Sequence, residues 1–114
     1  MHAITISRVS TEDQKIQGNS LPAQEARMLD YCQRKGFEVI KKFSFDESAY
    51  GKKKRDNFPK IIKYIQKSQE SLKVVLDKVD RLSRNPFDED LSRLIRMVEN
   101  GRIELHFVSD GQII

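Results

Sequence analysis

Ile6-Ser7-Arg8-Val9-Ser10-Thr11-Glu12-Asp13-Gln14, read with Asp80-Arg81-Leu82-Ser83-Arg84, decides the fold of this chain. The first stretch sets a serine two residues after an arginine, where an apolar amino-terminal strand runs out. The second sets an aspartate and two arginines where another apolar strand runs out. In a parallel α/β sheet such strand ends lie side by side, at the edge where ligands bind. A hydroxyl facing several guanidinium groups suits attack on an anionic ester such as a phosphodiester.

Working outward, Ala3-Ile4-Thr5-Ile6 reads as a buried strand, short and partly β-branched. Residues 11–19 are polar and contain Gly18-Asn19, and read as a loop. Ser20 can cap a helix that tolerates Pro22 in its first turn and stops at Gly36. Leu21, Met28, Leu29 and Cys32 follow helical spacing, interrupted by the polar Glu25. Phe37 to Phe45 reads as a second strand, followed by a loop from Asp46 to Arg55. Phe58, Ile61, Ile62 and Ile65 form one helical face, with Asp56 and Pro59 at its start.

Leu72 to Leu76 is a third strand. Asn85-Pro86 opens a third helix, whose acidic Asp88-Glu89-Asp90 lie near its positive end. Phe87, Leu91, Leu94, Ile95 and Val98 make its apolar face, and Asn100-Gly101 closes it. Ile103 to Val108 is a fourth strand. The order βαβαβαβ predicts an α/β domain with a mainly parallel sheet and right-handed crossovers.

At 114 residues the chain is one domain with a modest core. Its net charge of +4 does not by itself establish nucleic-acid binding. The distribution is more telling: Lys52-Lys53-Lys54-Arg55 is a compact basic run with Lys60 and Lys63 beyond it, although a basic run alone is more often a solvated loop. No apolar run approaches membrane-spanning length, and the start lacks the pattern of a signal peptide. Cys32 is the single cysteine, which excludes an internal disulfide and fits a reducing cytoplasm. It reads as a small buried residue on a helix face. His2 and His106 offer no catalytic motif.

Together these residues resemble the catalytic domain of serine site-specific recombinases, the resolvase and invertase group, and most of all the large serine recombinases of phages and mobile elements. The resemblance covers nearly the whole chain. It is carried by Arg8-Val9-Ser10-Thr11, by Ser20 to Gln24 opening a helix, by Phe45-Asp46-Glu47-Ser48-Ala49, by Arg55, by Asp80 to Asn85, and by Phe107-Val108-Ser109-Asp110-Gly111. It implies a four- or five-stranded sheet with helices on both faces. It further implies that members continue into a long helix and a DNA-binding region, so that residues 1–114 are expected to be a catalytic domain truncated before both.

The chemistry the resemblance implies can be weighed residue by residue. Ser10 is the candidate nucleophile. Taken alone it would more often be a cap, and Ser7 is its rival within the motif. Arg8, Arg55, Arg81 and Arg84 are the candidate phosphate clamp, because a planar guanidinium fork matches paired phosphate oxygens and keeps its charge. A surface ion pair is the plainer reading of each, strongest for Arg55 in its charged loop. Asp80 either orients an arginine or protonates the leaving 3′ oxygen. Asp46 resembles an arginine partner, and Gln14 and Gln24 match positions that hydrogen-bond near the site. Lys52, Lys53 and Lys54 can touch backbone phosphates. Ser48-Ala49-Tyr50-Gly51 replaces the usual Ser-Gly pair, and no role is carried over to Ser48.

The implied reaction is attack of Ser10 on a DNA phosphodiester to form a 5′-phosphoserine, then strand exchange and religation, with no cofactor and no ATP. The implied partners are double-stranded DNA and further copies of the chain, a dimer on a site and a tetramer in synapsis. A bacterial or phage-encoded cytoplasmic protein without a membrane partner is expected. Asp77 with Asp80, or Asp88 with Asp90, could be read as metal ligands. The first pair lacks a third carboxylate and the second is explained by the helix dipole, so no metal is expected. The competing classes are a non-catalytic α/β interaction domain, in which these groups would be scattered, and a metal-dependent nuclease, in which carboxylates would converge.

Overall fold

The computed structural model describes residues 1–9, 20–46, 54–77 and 89–114. The elements run β1 (His2–Val9), α1 (Leu21–Lys35), β2 (Glu38–Asp46), α2 (Lys54–Lys67), β3 (Leu72–Leu76), α3 (Glu89–Glu99), β4 (Ile103–Phe107) and β5 (Gln112–Ile113). They build a five-stranded sheet in the order β2-β1-β3-β4-β5. The pairings of β1 with β2, β1 with β3, and β3 with β4 are parallel. Only β5 is antiparallel, against β4. The chain therefore leaves β1 to one side for β2 and returns to its other side for β3, which puts the topological switch point between β1 and β3.

Strand alternation divides the core between the two faces. Ile4 and Ile6 of β1, with Val74 and Leu76 of β3 and Leu105 and Phe107 of β4, pack against Ile61, Ile62 and Ile65 of α2 and Leu94 of α3. Ala3 and Val75 point the other way and pack against Met28 and Cys32 of α1. Helices thus cover both faces, two on the first and one on the second. Phe43, Phe45 and Tyr64 extend the larger core toward β2.

Local chemistry explains the helix ends. The Ser20 hydroxyl accepts from the Ala23 N–H at 3.3 Å, and Pro22 sits in the first turn. Gly36 ends α1 at φ 74°, a left-handed conformation that a side chain would strain. Arg102 ties the turn before β4 to the carboxyl end of α2, donating from Nη2 to the carbonyls of Ile65 at 3.0 Å and Ser68 at 2.8 Å.

Three boundaries depart from the sequence reading. β1 does not stop at Ile6. It runs on through Ser7 and Arg8 because β2 pairs with it all the way to Val9↔Asp46. α2 begins at Lys54, so Pro59 lies inside the helix rather than at its start and has no N–H for the carbonyl four residues back. The last residues, beyond the fourth strand read from the sequence, form β5, fixed by the reciprocal hydrogen bonds Leu105 N–H to Ile114 O at 2.9 Å and Ile114 N–H to Leu105 O at 2.8 Å. Residues 78–88, which hold the expected start of the third helix at Asn85-Pro86, lie outside the described residues.

Candidate active site

The carboxyl ends of β1 and β3 flank the switch point, the place where open α/β sheets bind ligands. They do not end level. Ile6 pairs with Leu76, the last residue of β3, while β1 continues to Val9. β1 therefore projects about 10 Å past its neighbour at the usual strand rise. That projection leaves the backbone of Arg8 with β2 on one side and, among the described residues, no strand on the other.

Gln24 fills the gap. Its side-chain amide accepts from the Arg8 N–H at 3.3 Å and donates to the Arg8 carbonyl at 3.0 Å. A glutamine amide offers an acceptor and a donor in the same spacing as a peptide group, so Gln24 pairs with the Arg8 backbone as a neighbouring strand would. It is fully buried. Its position follows from the cap: Ser20 starts α1, Gln24 N–H bonds the Ser20 carbonyl at 3.0 Å, and the first turn faces the strand end.

A second anchor lies at the end of β3. Asp77 follows Leu76 directly and is completely buried. Arg27 of α1 grips it with two donors, Nε to Oδ1 at 2.9 Å and Nη2 to Oδ2 at 2.7 Å. Ser109, after β4, donates its hydroxyl to Asp77 Oδ1 at 2.6 Å and its N–H to the Asp77 carbonyl at 2.8 Å. The Asp77 hydrogen bond pushes the Arg27 guanidinium up from its already high value. Asp77, considered above as half of a metal pair, bonds a guanidinium and a hydroxyl, and its partner Asp80 lies outside the described residues. Among the described residues no group of three or more His, Cys, Asp or Glu is arranged to hold a metal ion.

The expected site residues divide by whether they are described. Arg8 is half-buried in β1 and, with its backbone held by Gln24, sits at the switch point. Asp46 ends β2 opposite Val9. Lys54 and Arg55 open α2. The side chains of Asp46, Lys54 and Arg55, and the whole of Ser10, Gln14, Lys52, Lys53, Asp80, Arg81 and Arg84, lie outside the described residues. Ser7, the rival serine, is 2 % exposed, and alternation turns it to the α1 side.

Sequence reading gave no role to Arg27, to Asp77 as an anchor, or to Ser109 beyond its place in the Phe107 to Gly111 stretch. It also passed over a second polar chain on the α1 side, where the Tyr31 hydroxyl lies 2.7 Å from His106 Nδ1, and His106 Nε2 lies 2.9 Å from Glu104 Oε1. Lys73 completes that chain with Glu104 at 2.9 Å. The Lys73 ammonium, and after it His106, hold the Glu104 carboxyl below the usual carboxylate range. His106 is thereby a buried structural group, packed edge-on against Tyr31 and Phe37.

The family model of the resolvase N-terminal domain matches residues 3–114. The chain belongs to that family, the catalytic domain of site-specific recombinases. Three solved structures share its fold. The N-terminal catalytic domain of TP901-1 integrase superposes with a TM-score of 0.77 at 22 % identity, over 99 % of this chain and 81 % of that one. A resolvase family site-specific recombinase from Streptococcus pneumoniae gives 0.74 at 24 %, over 99 % and 75 %. The C-terminal catalytic domain of ISC1926 TnpA, an IS607-like serine recombinase, gives 0.69 at 23 %, over 95 % and 70 %. No curated protein matches the chain. Among the described residues no helix is long and apolar enough to cross a membrane.

Proposed function

We propose that the chain cleaves and rejoins double-stranded DNA with Ser10 as nucleophile. The observation that carries this reading is the strand order. β1 and β3 are parallel neighbours at the switch point, and the segments leaving their carboxyl ends bear Ser10 and Asp80-Arg81-Leu82-Ser83-Arg84 respectively. The burial of Ser7 beneath α1 supports Ser10 over its rival.

In the reaction, the Ser10 oxygen attacks the scissile phosphorus and loses its proton. The bond from phosphorus to the 3′ oxygen breaks, and that oxygen leaves as a hydroxyl, taking up a proton. The product is a 5′-phosphoserine ester. Religation is the reverse attack by a 3′ hydroxyl on that ester. The ester keeps the energy of the broken bond, so neither ATP nor another energy source is needed. Arg8, Arg81, Arg84 and Arg55 neutralise the charge that gathers on the non-bridging oxygens, the role a metal ion would otherwise fill. Asp80 and Asp46 orient these guanidinium groups, Gln14 hydrogen-bonds nearby, and Lys52, Lys53 and Lys54 meet flanking phosphates without reading sequence.

Residues 1–114 act here as the catalytic part of a longer chain that supplies sequence recognition and the assembly of a dimer on each site and a tetramer in synapsis. A reducing cytoplasm suits a chain whose single cysteine is buried and free.

The test is capture of the covalent adduct on a cognate duplex by the whole recombinase carrying this domain. Wild type forms an adduct that maps to Ser10, in excess EDTA as well as without it. Ser10→Ala forms none while binding the duplex normally, and Ser7→Ala still forms it. An adduct mapping elsewhere overturns the nucleophile. Loss of the adduct in EDTA overturns the arginine clamp, and binding without any adduct favours a non-catalytic interaction domain.

A further inference from the structure

We propose that Arg27, Asp77 and Ser109 form a positioning clamp that sets the segment bearing Asp80, Arg81 and Arg84 against the strand end leading to Ser10. The inference rests on the reading of Ser10 as nucleophile.

Asp77 is a carboxylate with no exposure to solvent. Taking a charge out of water is costly, and an apolar pair of similar volume usually serves stability as well or better. The arrangement is also more constrained than stability requires. Asp77 is held at its side chain by Arg27 and Ser109, and at its carbonyl by the Ser109 N–H. One residue thus joins α1, β3 and the turn after β4. Its torsions set the direction in which the chain leaves β3, and Asp80 is only three residues further on.

The same helix holds the other strand. Gln24 and Arg27 are three residues apart, which makes them neighbours on one side of α1. Gln24 grips the backbone of Arg8, two residues before Ser10, and Arg27 grips Asp77, three residues before Asp80. α1 is therefore a rigid spacer with one contact at each side of the switch point. Nucleophile and phosphate clamp come from different strands, and catalysis needs their separation held to a fraction of an ångström. A device that fixes both strand ends to one turn of helix meets that need. Arg27 and Asp77 contact no reacting atom in this account; they act through the segments they hold.

The test uses the whole recombinase carrying this domain, assayed by single-turnover adduct formation at saturating duplex, by duplex affinity and by thermal unfolding. The central variant is the double replacement Arg27→Met with Asp77→Leu, which fills the space with apolar atoms and leaves no buried charge unpaired. The clamp predicts a folded protein with unchanged duplex affinity and an adduct rate lowered about 100-fold, the scale of an ångström-sized misplacement. Arg27→Lys keeps the charge and loses the two-pronged grip, and is expected to lower the rate in the same direction while remaining folded. It decides the matter if the double variant does not fold. A folded variant that forms the adduct at the wild-type rate overturns the clamp, as does a rate loss that only mirrors a loss of folded protein. A wild-type adduct mapping to a residue other than Ser10 overturns the underlying reading and the clamp with it. A Ser10 adduct with unaffected variants overturns the clamp alone.

Discussion

Replacing Gln24 isolates the energetics of the strand end that leads to Ser10. Gln24→Ala removes both hydrogen bonds that the Gln24 amide makes to the Arg8 backbone. Each such bond is worth about 1 kcal/mol net. Loss of the buried side-chain methylenes adds to this, so a destabilisation of about 2–4 kcal/mol is expected. For a domain of this size that lowers the melting temperature by roughly 10 °C or more. Gln24→Glu sharpens the test. A carboxylate still accepts from the Arg8 N–H but repels the Arg8 carbonyl, and burial raises its folded-state pKa above the unfolded value of about 4.3. A raised carboxylate is penalised above the unfolded pKa and relieved below it. The deficit of Gln24→Glu against wild type should therefore shrink as pH falls toward about 4 and grow as pH rises through the folded-state pKa. Urea titrations of the three proteins at several pH values give both numbers. A Gln24→Ala protein within about 0.5 kcal/mol of wild type, or a Gln24→Glu deficit that does not vary with pH, would refute the strand-replacement argument.

Two further outcomes follow from groups away from the site. His2 lies between Glu70, bonded at Nδ1, and Glu38, 3.2 Å from Nε2, and its pKa is raised, chiefly by the Glu70 hydrogen bond. A raised histidine stabilises fully below the unfolded pKa of about 6.5 and loses that contribution as pH rises through its folded-state value; His2→Gln should flatten this part of the stability–pH curve, and an unchanged slope would remove His2 as its source. Cys32 is 1 % exposed, and burial pushes its thiol pKa up. Alkylation near pH 8 should be slow in native protein and rapid in denaturant, and native labelling as fast as denatured labelling would contradict the packing of α1.

The architecture was legible because its signals are local. The face Ile61, Ile62 and Ile65 became the buried side of α2, and Ser20 and Gly36 bound α1 as their chemistry requires. Features that depend on a distant partner were not legible. β5 is two exposed residues long, and nothing in Gln112-Ile113 marks it as a strand until β4 is beside it. The overrun of β1 past β3 is set by the length of β2, which no reading of β1 reveals.

The clamp at Asp77 was hidden for the same reason, although it left a trace. Its members come from positions separated by 50 residues for Arg27 and 32 for Ser109, and no spacing rule links them. Yet Leu72 to Leu76 is apolar except for Lys73, as suits a strand covered on both faces, and Asp77 follows it without a turn residue between. A carboxylate at that depth needs a cation and hydrogen-bond donors. In a parallel sheet these can come only from a helix packed over the strand end or from the loop after the neighbouring strand. Arg27 and Ser109 are those two sources. An acidic residue directly after a buried parallel strand is therefore a reason to look for its basic partner on the first turns of the covering helix, before assigning that charge to the surface or to a metal.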